Sequence, residues 1–128
     1  MKPELNLLVC ATLLTLVQAV VAVHGAMMQV GLSTLAGNRE GLPEIKGWGG
    51  RAARAHRNML ESLVLFAVLV IAAVLADKTN GTTLLGAQIF FWARVVYALV
   101  YLAGIPWLRT GVWAVSIVGL AMIFLQLI

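Results

Sequence analysis

The sequence predicts an all-α integral membrane protein, a bundle of four transmembrane helices. Three observations carry that prediction. Of the 128 residues, 62% are hydrophobic and only 11% charged, against roughly 25% charged in an ordinary soluble domain. A soluble domain of about 150 residues buries only ~70% of its surface, too little to hide so much apolar area. The apolar residues also fall into four stretches of span length, without the ~10-residue alternation of β-barrel strands. A single cysteine, Cys10, argues against a disulfide scaffold, and the apolar content argues against disorder.

The first stretch runs from Leu5 to about Val30 and holds Gln18, His24 and Gln29 but no formal charge. Its Leu5–Val23 run is longer than the usual ~7–15-residue core of a cleaved leader, so a retained helix is expected. Residues Leu7-Leu8-Val9-Cys10 resemble a lipoprotein box only faintly, with bulky Val9 where a small residue belongs. A long loop, Gly31–Gly50, follows, with Gly47-Trp48-Gly49-Gly50 expected as a flexible lead-in and Trp48 as an interfacial anchor. The second stretch is Arg51–Ala76 and the third Thr82–Gly104, separated by the turn Asp77–Gly81. The fourth occupies residues 109–128, its apolar part being Gly111–Ile128, a span of minimum length. Trp107 and Trp113 read as its anchors, and a tight link surrounds Pro106. Short connections make neighbouring spans antiparallel. The whole chain, 1–128, reads as one transmembrane domain.

Basic residues near span ends set orientation. With four spans, Lys2 and Lys78 share one side with both termini. Arg39, Lys46, Arg51, Arg54, Arg57 and Arg109 fall on the other. The first and third loops are therefore expected in the cytoplasm, with the N- and C-termini away from it. The basic cluster adjoins a span and lacks any binding module around it, so nucleic acid is a poor partner. Anionic lipid is a better one.

The second span opens on a stripe that a lipid-facing helix cannot tolerate. At about 100° per residue, Arg54, Arg57, Asn58 and Glu61 fall within an arc of about 100°, with His56 on the opposite face. Charges at this depth face protein or a wet cavity. Glu61 could pair with Arg54, Arg57 or Arg94 and lock helices together. The stripe could equally line a pocket, and its excess positive charge suits an anionic ligand. In the third span Arg94, Tyr97 and Tyr101 share one face. Arg94 has no carboxylate in its own span, so a contact with Glu61 is expected within or between subunits. Arg109-Thr110 has a plain reading as a snorkelling arginine followed by a helix N-cap. His56 is expected at headgroup level, and His24 facing a neighbouring helix. His24, His56 and Cys10 form no metal-binding set.

The run Arg54-Ala55-His56-Arg57-Asn58-x-x-Glu61, followed by Arg94-x-x-Tyr97-x-x-x-Tyr101 and Arg109, resembles the MAPEG family, the membrane-associated proteins in eicosanoid and glutathione metabolism. The resemblance covers nearly the whole chain. The loop Gly37-Asn38-Arg39-Glu40-Gly41-Leu42-Pro43 is similar to the bacterial branch, which implies the inner membrane. The resemblance implies homotrimers of four-helix subunits with glutathione between neighbours near the cytoplasmic face. It implies transfer of glutathione to lipophilic small molecules, peroxide reduction or endoperoxide isomerisation. One branch of the family binds lipids without catalysis. By motif, Arg54, Asn58 and Glu61 would hold the γ-glutamyl end, and Arg57, Arg94, Tyr97 and Tyr101 would complete the glutathione site. Arg109 would stabilise the thiolate, beside Thr110 where some members carry a serine. Several members have an arginine late in the first span, where this chain has His24, Gln29 and Leu32.

The chemistry of the residues is compatible with that ligand. Arginine forks match carboxylates, a lone glutamate suits an ammonium, and a cation lowers the pKa of a thiol. Two other readings stay open: a non-catalytic lipid-binding or interaction protein of the same fold, and a small multidrug exporter. Such exporters carry their glutamate in the first span, where only Glu4 stands, at the tip.

Overall fold

A computed structural model describes residues 1–128. Four of its five helices are long and apolar enough to cross a membrane: α1 (Pro3–Val30), α3 (Gly47–Leu75), α4 (Gly81–Ala103) and α5 (Pro106–Leu127). A short helix, α2 (Leu32–Ala36), lies in the first loop. The protein is an all-helical, multi-pass membrane protein. Only 28 of 128 residues are buried, so most of the apolar surface is left for lipid or other chains. Leu13, Val20, Val64, Val68, Leu99 and Phe124 are among the large apolar side chains that point outwards.

The bundle is built from two pairs. Helix α1 packs chiefly on α3, and α4 on α5, whereas α1 and α5 have no close backbone contact. Between the pairs, Phe66 of α3 stacks on Phe90 of α4 with ring centroids 4.2 Å apart. Met59, Val70, Ala87, Leu120 and Ile123 complete this core with Ala11 of α1.

Each boundary has a local cause. Pro3 and Pro106 occupy first-turn positions of α1 and α5, where a missing N–H costs nothing. Helix α4 starts with a capping box: Asn80 Oδ1 accepts from the backbone N–H groups of Thr82 and Thr83, each at 2.9 Å. Thr83 Oγ1 accepts in return from the Asn80 N–H at 2.8 Å. Helix α4 ends at Gly104, whose φ of 78° is left-handed, a conformation that glycine adopts without steric cost. Asn80→Ala is expected to lower stability by about 1 kcal/mol, a shift of roughly 4 °C in thermal unfolding. Asn80→Asp should retain most of it.

Several expectations change here. The segment Gly47–Gly50 is not a flexible lead-in but the first turn of α3, with Gly49 and Gly50 buried. A Cβ on Gly25 would lie 2.7 Å from Gly49 Cα, so the two glycines let α1 and α3 cross at backbone distance. The loop before them is held down by a clasp. Gln29 Oε1 accepts from the Lys46 N–H at 2.9 Å, and its Nε2 donates to the Lys46 carbonyl at 2.7 Å. Helix α5 starts at Pro106 with Ile105 as N-cap. Thr110 is therefore not a cap: it sits one turn inside and donates back to the Pro106 carbonyl at 3.2 Å. His56 is half-buried, with its Nδ1 enclosed and without a partner. Glu4 does stand at the tip, in the first turn of α1. It is 3% exposed and accepts from Thr83 Oγ1 at 2.8 Å, joining the outer ends of α1 and α4.

Candidate functional site

Five helical positions build a cleft where α3, α4 and α5 meet. Asn58, Tyr97, Arg109, Thr110 and Trp113 line it, around a volume of about 150 Å³. Asn58 comes from α3, one turn beyond Arg54. Tyr97 and Tyr101 are one turn apart on α4, with ring centroids 5.6 Å apart. Arg109 comes from the first turn of α5, because Gly104 and Pro106 bring that helix straight back onto α4.

Arg94 lies behind the cleft and is 1% exposed. Its Nη2 donates to Asn58 Oδ1 at 2.8 Å, and its Cζ lies 4.1 Å from the centroid of the Tyr97 ring. Its Nε and Nη1 are buried without a partner. Within the subunit, the partner of Arg94 is therefore Asn58, and the expected contact with Glu61 is not formed. The reason lies in the helix faces: Asn58 turns inwards from the stripe, while Glu61 is exposed on the outside of α3. Arginine has only donors, so it fixes the Asn58 amide with its oxygen towards Arg94. The amide nitrogen of Asn58 is left to donate elsewhere.

Arg109 places its Cζ 4.7 Å from the centroid of Tyr101. Arg54 Nε donates to Tyr101 Oη at 3.3 Å. Tyr101 thus stands between two guanidinium groups, one from α3 and one from α5. Arg51, a turn earlier, donates from Nε to the Leu102 carbonyl at 3.0 Å and secures the end of α4. The structure so gathers Arg54, Asn58, Arg94, Tyr97, Tyr101, Arg109 and Thr110 around one end of the bundle.

Arg57 and Glu61 do not join them within the subunit. Both are exposed, as is Arg54. Glu61 stands about 21 Å along α3 from its start, near the middle of a helix about 43 Å long. A charge at that depth is costly against lipid.

Sequence reasoning missed two features near this site. One is the Arg51 contact with the end of α4, for which no signal existed. The other is the Gln29 clasp on Lys46. Gln29 late in the first span was the visible signal, read only as the place where an arginine was missing.

What the cleft can do follows from its groups. The guanidinium of Arg109 and the oriented Asn58 amide N–H offer donors to a carboxylate or another anion, and the buried charge of Arg94 behind them adds to the positive field of the cleft. Two phenols and Trp113 add an apolar wall with hydrogen-bonding tips. The described residues contain no group of three or more His, Cys, Asp or Glu that could hold a metal.

The sequence pattern of the MAPEG family matches residues 5–128, nearly the whole chain. No curated protein and no solved structure matches. The family match and the four membrane-length helices agree, and the chain belongs to the MAPEG family.

Proposed function

We propose that the protein is a membrane-embedded glutathione-dependent transferase or peroxidase acting on lipophilic electrophiles. The observation that carries this reading is Arg94, a buried guanidinium with two unpartnered nitrogens beside a cleft rimmed by Arg109. A buried cation so poorly satisfied calls for an anion from outside.

Glutathione fits the residues present. Its two carboxylates suit Arg54, Arg94 and the Asn58 amide nitrogen, with Arg57 as a further donor, and its ammonium suits Glu61. Tyr97 and Tyr101 offer hydroxyls along the cleft. Bound glutathione supplies a thiol nucleophile. Arg109 provides the positive charge that favours its ionised form, and Thr110 adds a hydroxyl beside it. A site open to the bilayer lets an apolar electrophile arrive without crossing water.

The subunit would not act alone. Arg54, Arg57 and Glu61 are exposed on α3, and their depth requires a protein neighbour rather than lipid. A homotrimer whose neighbouring subunits cover this stripe meets that need and encloses the site. The basic residues of the first and third loops support a reading with the site at the cytoplasmic face of a bacterial inner membrane and both termini on the opposite side.

The test is equilibrium binding of glutathione to detergent-purified protein. Wild type should bind at millimolar concentration or below. Arg54→Ala should weaken binding at least about tenfold, the loss of one charge-assisted contact, while the oligomer persists. No binding by wild type at millimolar glutathione would sink the reading.

A further inference from the structure

The last turn of α4 carries an acceptor that its own chain cannot satisfy. A helical carbonyl normally accepts from the N–H four residues on. For Leu102 that residue is Pro106, which has no N–H. The N–H groups between them are engaged elsewhere. Gly104 donates to the Val100 and Tyr101 carbonyls at 3.1 and 3.0 Å, and Ile105 to the Val100 carbonyl at 3.3 Å. Arg51 of α3 fills the gap, donating from Nε to the Leu102 carbonyl at 3.0 Å. A Cβ on Gly104 would lie 3.5 Å from Arg51 Nε and 3.7 Å from its Cζ, so the guanidinium lies against the turn itself. Helix α4 has no basic residue in its own last turn, and Arg51 brings a cation to the negative end of that helix from outside.

The turn held in this way has the reacting end of the cleft on both sides. Tyr101 immediately precedes Leu102, and Arg109 lies one helical turn after Pro106. Arg109 Cζ stands 4.7 Å from the centroid of the Tyr101 ring, an approach that depends on how the chain reverses between Gly104 and Pro106. Arg51 itself does not line the cleft. A displacement of about 1 Å at a reacting group can cost about 10²-fold in rate.

We infer that Arg51 is a positioning residue for the reaction: by satisfying the Leu102 carbonyl it sets the α4–α5 turn and so holds Arg109 where it ionises the thiol. This role rests on the glutathione-dependent activity proposed above.

The test isolates the hydrogen bond. Arg51→Gln places an amide N–H where Nε stands, without the charge, whereas Arg51→Met keeps the stem and offers neither. Hydrogen exchange of the backbone amides from Gly104 to Thr110 is followed without ligand, and thiolate absorbance, turnover and affinity are followed with glutathione. Arg51→Met should speed exchange about fivefold, the loss of one hydrogen bond. It should lower thiolate and turnover about tenfold while affinity changes by less than about threefold. Arg51→Gln should stay within about twofold of wild type throughout. Added to Arg109→Ala, Arg51→Met should change turnover by less than about twofold, because it acts through Arg109. Equal losses in Arg51→Gln and Arg51→Met overturn the inference, since the charge alone would then be acting. So does a full further loss on top of Arg109→Ala, or loss of glutathione binding in Arg51→Met. Unchanged exchange in Arg51→Met overturns the clamp whatever glutathione does. A wild type that binds no glutathione sinks the proposed activity, and this role with it, even where exchange rises.

Discussion

Replacing Arg109 with alanine is expected to leave glutathione bound and to abolish the ultraviolet absorbance of its ionised thiol. The separation follows from where the cations sit. Arg94 is deep and holds Asn58, Arg54 approaches from α3 through the Tyr101 hydroxyl, and Arg109 alone comes from α5, against the Tyr101 ring. The first two suit the carboxylates of the ligand, and their loss should appear as loss of binding. Arg109 lines the mouth of the cleft and suits the reacting end. Removing one preorganised electrostatic group of this kind costs about 10²–10³-fold in turnover. Turnover should fall by that factor, while the dissociation constant changes by less than about threefold, under the tenfold that 1.4 kcal/mol represents. Arg109→Lys keeps the charge but loses the planar fork, and should restore part of the thiol ionisation. If Arg109→Ala retains the thiolate signal, the charge that ionises the thiol comes from elsewhere and the assignment fails. If it loses binding entirely, Arg109 holds the ligand rather than its sulfur.

The charged residues show how far the sequence could be read. Helical spacing alone put Arg54, Arg57, Asn58 and Glu61 on one side of a span, because 3.6-residue periodicity is a local property. It could not say that the stripe divides at its edge, Asn58 turning in to Arg94 while Glu61 stays outside. That division depends on the rotation of α3 against α4, which is set by packing. The expected Arg94–Glu61 pair came from counting charges. Counting charges overlooks a neutral amide, which satisfies a buried guanidinium without the cost of burying a second charge. Helix ends were harder still. Glycines at 47, 49 and 50 suggested flexibility, since isolated glycine disfavours helix. In the fold the missing side chain of Gly49 admits α1 at backbone distance, and that of Gly50 admits the Ile45 backbone, a tertiary gain invisible to local propensity. Glu4 and Gln18 were legible as polar residues in an apolar run, but their burial depends on Thr83 and on the helices packed against α1, both distant in sequence.

Gly119→Val is expected to destroy the α4–α5 pair. A Cβ on Gly119 would lie 2.6 Å from the Gly86 carbonyl oxygen and 2.8 Å from the Phe90 backbone nitrogen. Gly86 faces the same limit in return, 2.7 Å from the Gly119 carbonyl oxygen. The obstacles are backbone atoms in two regular helices, so no rotamer change relieves them. Close approach through small residues is how membrane helices gain packing without a hydrophobic drive between them. Even a methyl group forces the helices apart, and valine adds two branches more. The cost is expected at about 3 kcal/mol or above, the upper range for overpacking. The consequences reach the site. Phe90, beside Gly119, carries the stack on Phe66 that joins the two helix pairs, and α5 carries Arg109. A displaced α5 therefore moves Arg109 away from Tyr101 even where the chain stays folded. Gly111 supplies the matched control: it lies in the same helix, and a Cβ there meets nothing within 4 Å. Gly111→Ala should be neutral or stabilising by up to about 1 kcal/mol. Thermal unfolding in detergent and the yield of intact oligomer distinguish the two. A Gly119→Val protein that unfolds within about 2 °C of wild type, a difference worth under 1 kcal/mol, would show that α4 and α5 do not cross at Gly86 and Gly119.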